Sequence, residues 1–145
     1  MRVSALPATL ALVAATLAGG AAPAAADTPE GTLLTVSLEA GTAALHHNTA
    51  TVTYERVAGE VNAFKITSIR EVSAGRDCVW VEWNDPNGWN NGWNSLTTEP
   101  ACYGYVMLET PNRIIKAPAD HPLKVRLIAY HDDSAEIMHK DVAKL

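Results

Sequence analysis

From Thr32 onward the chain alternates. Leu34, Val36 and Leu38 fall on one face, with Thr35, Ser37 and Glu39 on the other, and this period of two predicts a half-buried strand over 32–39. The pattern recurs over 50–57, with Val52 and Tyr54 inward against Thr51, Thr53 and Glu55. Over 62–72 the phase changes: Phe64 and Ile66 share a parity that Ile69 does not. A bulge near Thr67–Ser68 would return all three to one core, and a strand buried on both sides is the alternative. Residues 78–83 and 102–110 read as two more strands, with Gly104 expected to mark a bulge or a close packing contact. Leu123, Val125, Leu127 and Ala129 then alternate with Lys124 and Arg126 over 123–131, and 114–115 offers a short extra piece. The last segment, 135–142, fits a strand closing a hairpin, or a short helix capped by Asp133 or Ser134. Strand is preferred, because an isolated helix of this length is marginal. Turn chemistry separates the runs at 58–60, 73–77 and 132–134.

About seven strands with turns every ~8–12 residues predict an all-β antiparallel β-sandwich, with a small β-barrel as the alternative. The segment before Thr32 lies outside this pattern. Arg2, an Ala/Leu/Val run to about Leu17 and the small residues Ala24–Ala26 describe a secretory signal peptide over 1–26. That leaves 27–145 as one domain. No later apolar run is long enough to span a bilayer, so a secreted, extracellular protein with no membrane association after cleavage is expected. Arg2 is the leader's one charge, so the net charge of −5 for the whole chain becomes −6 without it. A moderately acidic surface with no Lys/Arg cluster argues against a nucleic-acid partner.

One stretch dominates the composition. Between Cys78 and Cys102 lie both cysteines and all four tryptophans, and the tetrapeptide Asn-Gly-Trp-Asn occurs twice in tandem at 87–94. Two cysteines in an exported chain are expected to form one disulfide, Cys78–Cys102, stabilising by about 3–4 kcal/mol in the chain-entropy picture. Asn-Gly at 87–88 and 91–92 favours two tight turns in succession, which would place Trp89 and Trp93 equivalently. Exposed indoles beside Asn87, Asn90, Asn91 and Asn94 suit a sugar: the ring stacks on a pyranose and the amides bond hydroxyls. The competing role for the same tryptophans is to cap the core beside the disulfide. Trp80 and Trp83 differ in parity, so one should point in and one out.

Other chemistry is thinly represented. Asp85, Asn87, Asn90 and Asn91 carry hard oxygen donors, yet Trp89 breaks the calcium-loop pattern, and Asx-turn bonding accounts for the asparagines. The five histidines show no ligand spacing, so neither metal nor cofactor is expected. No Gly-x-Ser-x-Gly elbow is present. The expectation is a non-catalytic binding module, with polysaccharide the first ligand class. A protein that binds another extracellular protein, such as an inhibitor of an exported enzyme, is the second reading, and a small secreted hydrolase the third.

The strand-borne disulfide with Trp80 near Cys78 makes the chain resemble immunoglobulin-like sandwiches, although the Cys spacing is much shorter than in antibody domains. Together, the Ala-rich leader, the two cysteines and the strand-rich body resemble small exported β-domain proteins of actinobacteria, most of them functionally unassigned. That resemblance carries no catalytic or binding residue across.

Overall fold

The computed structural model describes residues 31–41, 47–87, 92–131 and 137–145, with the side chains of 137–140 excepted. The leader, the 132–134 turn, Trp89, Asn90 and Asn91 lie outside the described residues. All described secondary structure is strand and turn, with no helix.

The first sheet begins as a meander of β1 (Leu34–Ala40), β2 (Asn48–Arg56) and β3 (Ala63–Val72). The chain then crosses to the second sheet as β4 (Asp77–Trp83), and the short strands β5 (Asn94–Ser95) and β6 (Ala101–Cys102) return alongside it. It crosses back to add β7 (Val106–Glu109) and β8 (Arg113–Lys116), both on the free side of β3. A hairpin of β9 (Lys124–His131) and β10 (Ile137–Lys144) completes the second sheet on the other side of β4. The orders are β1-β2-β3-β7 with β8 on β3, and β10-β9-β4-β5 with β6 on β4, all antiparallel. The final segment is therefore a strand.

The two sheets form a β-sandwich and not a closed barrel. Among the described residues no ladder joins β1 and β10, and the Glu39 amide donates to Asp141 Oδ2 at 3.0 Å between them. Leu38, Val52, Ile66 and Ile69 from the first sheet meet Val79, Val81, Val125 and Leu127 from the second, each excluded from solvent. Tyr54 and Phe64 pack edge to face at 5.5 Å.

The phase change in β3 is resolved by a bulge. Thr53 pairs with Ser68 and Tyr54 with Ile66, leaving Thr67 as the extra residue, and its hydroxyl donates to Thr53 O at 3.0 Å. Ile66 and Ile69 both reach the core as a result. The run 102–110 is interrupted instead of continuous. Tyr103 (φ 56°) and Gly104 (φ 78°) are both left-handed, and the Tyr105 amide donates to Cys102 O at 2.9 Å. That is a type I′ turn, whose geometry asks for positive φ at both central residues. A Cβ at Gly104 would meet open space. The glycine there serves backbone conformation, not the bulge or close packing expected from the sequence.

Cys78 and Cys102 are bonded and face each other across β4 and β6, with Cα atoms 4.0 Å apart. The bridge thus joins neighbours in one sheet, whereas immunoglobulin domains bridge their two sheets.

Candidate functional site

Strand β4 sorts its tryptophans by parity. Trp83 is 5% exposed and belongs to the core, while Trp80 is half-buried on the outer face of the second sheet. Glu82 shares that outer face, and the register sets it opposite Arg126 of β9 and Ser95 of β5. Arg126 donates to Glu82 Oε2 through Nε at 2.7 Å and lies 2.5 Å away through Nη2. Trp80 Nε1 donates to Glu82 Oε1 at 3.1 Å. Both oxygens of a carboxylate only 5% exposed are therefore engaged, the condition under which a nearly buried ion pair is tolerable.

Trp93 belongs to the same constellation. The Arg126 guanidinium lies 4.1 Å from the centre of its ring, a cation–π contact. Tyr130 packs on the other side of Trp80 with ring centres 5.2 Å apart. The outer face of the second sheet thus carries Tyr130, Trp80, the Glu82–Arg126 pair and Trp93.

The loop that delivers Trp93 is anchored at its root. Asn84 accepts from the Lys124 amide at 2.5 Å and donates to Pro122 O at 2.9 Å. The Asp85 carboxylate accepts from the Asn87 amide at 2.9 Å and from Asn94 Nδ2 at 2.5 Å. The first of these is an Asx-turn and the second ties the two ends of the loop together. Of the residues singled out in the sequence, Trp93 is half-buried with one ring face taken by Arg126, Asn94 is half-buried and bound to Asp85, and Asn87 is exposed. How Trp89, Asn90 and Asn91 sit relative to them lies outside the described residues.

Beside Trp80 is a pocket of about 220 Å³, walled by Trp80 and Glu82 on one side and by Ser95, Thr97, Thr98 and Glu99 on the other. Its loop wall is pre-set. Glu109, the last residue of β7 in the opposite sheet, accepts from the Thr98 amide at 3.0 Å, the Thr98 hydroxyl at 3.2 Å and the Glu99 amide at 3.4 Å. Ser95 Oγ donates to Thr97 O at 2.6 Å. A larger depression of about 440 Å³ lies over the β2–β3 hairpin, bounded by Glu55, Arg56, Lys65 and Ile114. It has no aromatic wall, and its Glu55–Lys65 pair at 3.0 Å is half-buried.

Further polar groups are buried. Glu71 of β3 points into the sandwich, 1% exposed, and among the described residues neither of its oxygens meets a donor in hydrogen-bonding geometry. Burial pushes its carboxyl up to about 8; Glu109 adds to the rise, while Thr97 and the backbone of Val81 and Ala101 offset part of it without completing a bond. Thr97 Oγ1 is also buried without a hydrogen-bond partner among the described residues. At the other end, Asp77 receives Asn48 Nδ2 at 2.9 Å and holds His131 Nδ1 at 3.2 Å, and Asn48 in turn accepts from the Ala74 amide at 2.7 Å. This cluster ties the starts of β2 and β4 to the end of β9. No group of three or more potential metal ligands occurs among the described residues.

Sequence reasoning singled out Trp93 and did not foresee the Glu82–Arg126 pair or the position of Trp80 beside it. The usable signal was parity: Trp80 and Glu82 share a face, as do Lys124 and Arg126. Their cross-strand alignment depends on register, which the sequence does not encode locally. Comparison with protein-family models, with curated proteins and with solved structures finds no match to the chain.

Proposed function

We propose that the chain is an exported, non-catalytic binding module whose ligand is a glycan, taken on the outer face of the second sheet. The observation that carries this reading is the composition of the pocket beside Trp80, lined by that indole together with Glu82, Ser95, Thr97, Thr98 and Glu99. An aromatic face with a few hydroxyls and carboxylates around it matches a pyranose, apolar on one side and hydroxyl-edged. The Glu109 clamp supports the same reading, because a wall already ordered loses little entropy on binding. Trp93, with one ring face against Arg126, extends the platform past the pocket. The disulfide is compatible with an extracellular location.

The test is a titration of intrinsic tryptophan fluorescence against a panel of soluble and insoluble polysaccharides. A response is expected from at least one, and Trp80→Ala and Trp93→Ala should each weaken it about tenfold or more, a loss of ~1.4 kcal/mol. Circular dichroism would check that both variants keep the fold. Silence of the wild type across the panel, or equal responses from the variants, would overturn the reading.

A further inference from the structure

The β7 edge of the first sheet combines outward-facing backbone groups with two exposed apolar side chains, Val106 and Leu108. The Ser73 amide donates to Tyr105 O at 3.2 Å, which sets the phase of the β3–β7 ladder. Glu71 and Met107 then form a hydrogen-bonded pair, and Val72/Val106 and Arg70/Leu108 form open pairs. The amide and carbonyl of Val106 and of Leu108 therefore point away from β3, toward solvent. Their side chains are exposed as well, at 52% and 68%. Tyr103 and Tyr105, on the turn that leads into β7, are 53% and 67% exposed and extend the same patch.

Proteins normally blunt such an edge with charge, proline or cover, because free strand polar groups beside apolar side chains recruit another strand. Here the local charge recruits rather than repels. Arg70 is the cross-strand neighbour of Leu108. Arg76 sits in the 73–77 turn, which bonds to 103–105 through Ser73–Tyr105 and through the Tyr103 amide on Asp77 O at 3.1 Å. Neither arginine makes an ion pair with a described residue, and both are exposed. Glu109, the one carboxylate of β7, is turned away to hold Thr98 and Glu99. A chain of net charge −5 thus presents a locally basic, apolar, hydrogen-bond-ready edge.

We infer that the β7 edge docks an extended, acidic segment of a second protein by strand addition. Backbone bonds to Val106 and Leu108 give register, alternate apolar side chains cover Val106, Leu108 and the two tyrosines, and flanking carboxylates meet Arg70 and Arg76. This site is separate from the glycan pocket and stands or falls on its own.

The probe is the N-acetylated, C-amidated peptide Glu-Val-Thr-Val-Thr-Val-Glu, added to isotopically labelled full domain. The expected result is saturable movement of the Val106 and Leu108 amide resonances, with those of Trp80 and Trp93 still. Leu108→Lys and Arg70→Glu, both at exposed positions, should each weaken binding about tenfold, and a peptide N-methylated at alternate amides should lose it. A peptide with Lys in place of both Glu should bind more weakly than the parent. No movement at Val106 and Leu108, or equal binding by the N-methylated peptide, overturns the inference. So does self-association of the chain that Val106→Lys abolishes, because the occupant of the edge is then a second copy.

Discussion

Glu71 is an acid held where its charge cannot be solvated. Its carboxyl titrates at about 8 in the folded protein against 4.5 when free. Between those values the folded state holds a proton that the unfolded state has lost, so stability falls as pH rises. This contribution is complete below about pH 4.5 and gone above about pH 8, with an upper bound of about 5 kcal/mol from the size of the shift. Glu71→Gln keeps the shape without the charge. Urea unfolding at pH 5, 7 and 9 should show the variant overtaking the wild type at high pH, and equal slopes for the two proteins would contradict the assignment. Arg126 presents the opposite case, a cation whose removal leaves Glu82 buried and unpaired. Arg126→Ala should cost on the order of 3–5 kcal/mol. It should also shift tryptophan emission to the red as Trp93 loses its cover.

At the scale of elements, the bulge in β3 makes an unusual expectation. Deleting Thr67 puts Ile66, Ile69 and Glu71 in simple alternation and preserves the pairing of Tyr54 with Ile66 and Val52 with Ile69. The deletion should therefore fold, losing about 1 kcal/mol for the hydroxyl bond to Thr53. Deleting Arg70 instead inverts every side chain on one side of the cut, and should abolish the cooperative unfolding transition. The same logic explains what was legible in the sequence. Parity predicted the strands, the bulge between Ile66 and Ile69, and the split between Trp80 and Trp83, since each is a property of neighbouring residues. The interruption of 102–110 was missed because Tyr103 gives no composition signal for a positive φ. The alignment of Glu82 with Arg126 joins strands 44 residues apart, and only the sheet order supplies it. Glu71 shares the inward parity of Ile69, but a carboxylate reads as surface unless the burial around it is known.

The whole molecule is asymmetric about its two pairs of edges. On one side β1 and β10 approach and Glu39 meets Asp141, while on the other β7 stays open and the chain crosses between sheets beside the disulfide. Replacing both cysteines with alanine should cost about 3 kcal/mol for a loop of this length. Thiol labelling of the native protein should find no reactive group, since both cysteines are bonded. The loss should appear as a lower urea midpoint with a steeper dependence on urea, because the unfolded chain without the cross-link exposes more surface.

Because the bridge closes on a single sheet, Trp80, Glu82, Trp93 and the Thr97–Glu99 wall all belong to one covalent ring of chain. A protease that clips this ring once, anywhere between Cys78 and Cys102, cannot release a fragment. The two pieces stay tethered by sulfur, and β4 and β9 continue to present Glu82 to Arg126. Clipped protein should migrate as one species on a non-reducing gel and as two after reduction. In a protease-rich environment, a single cut in this ring would leave the outer face of the second sheet attached.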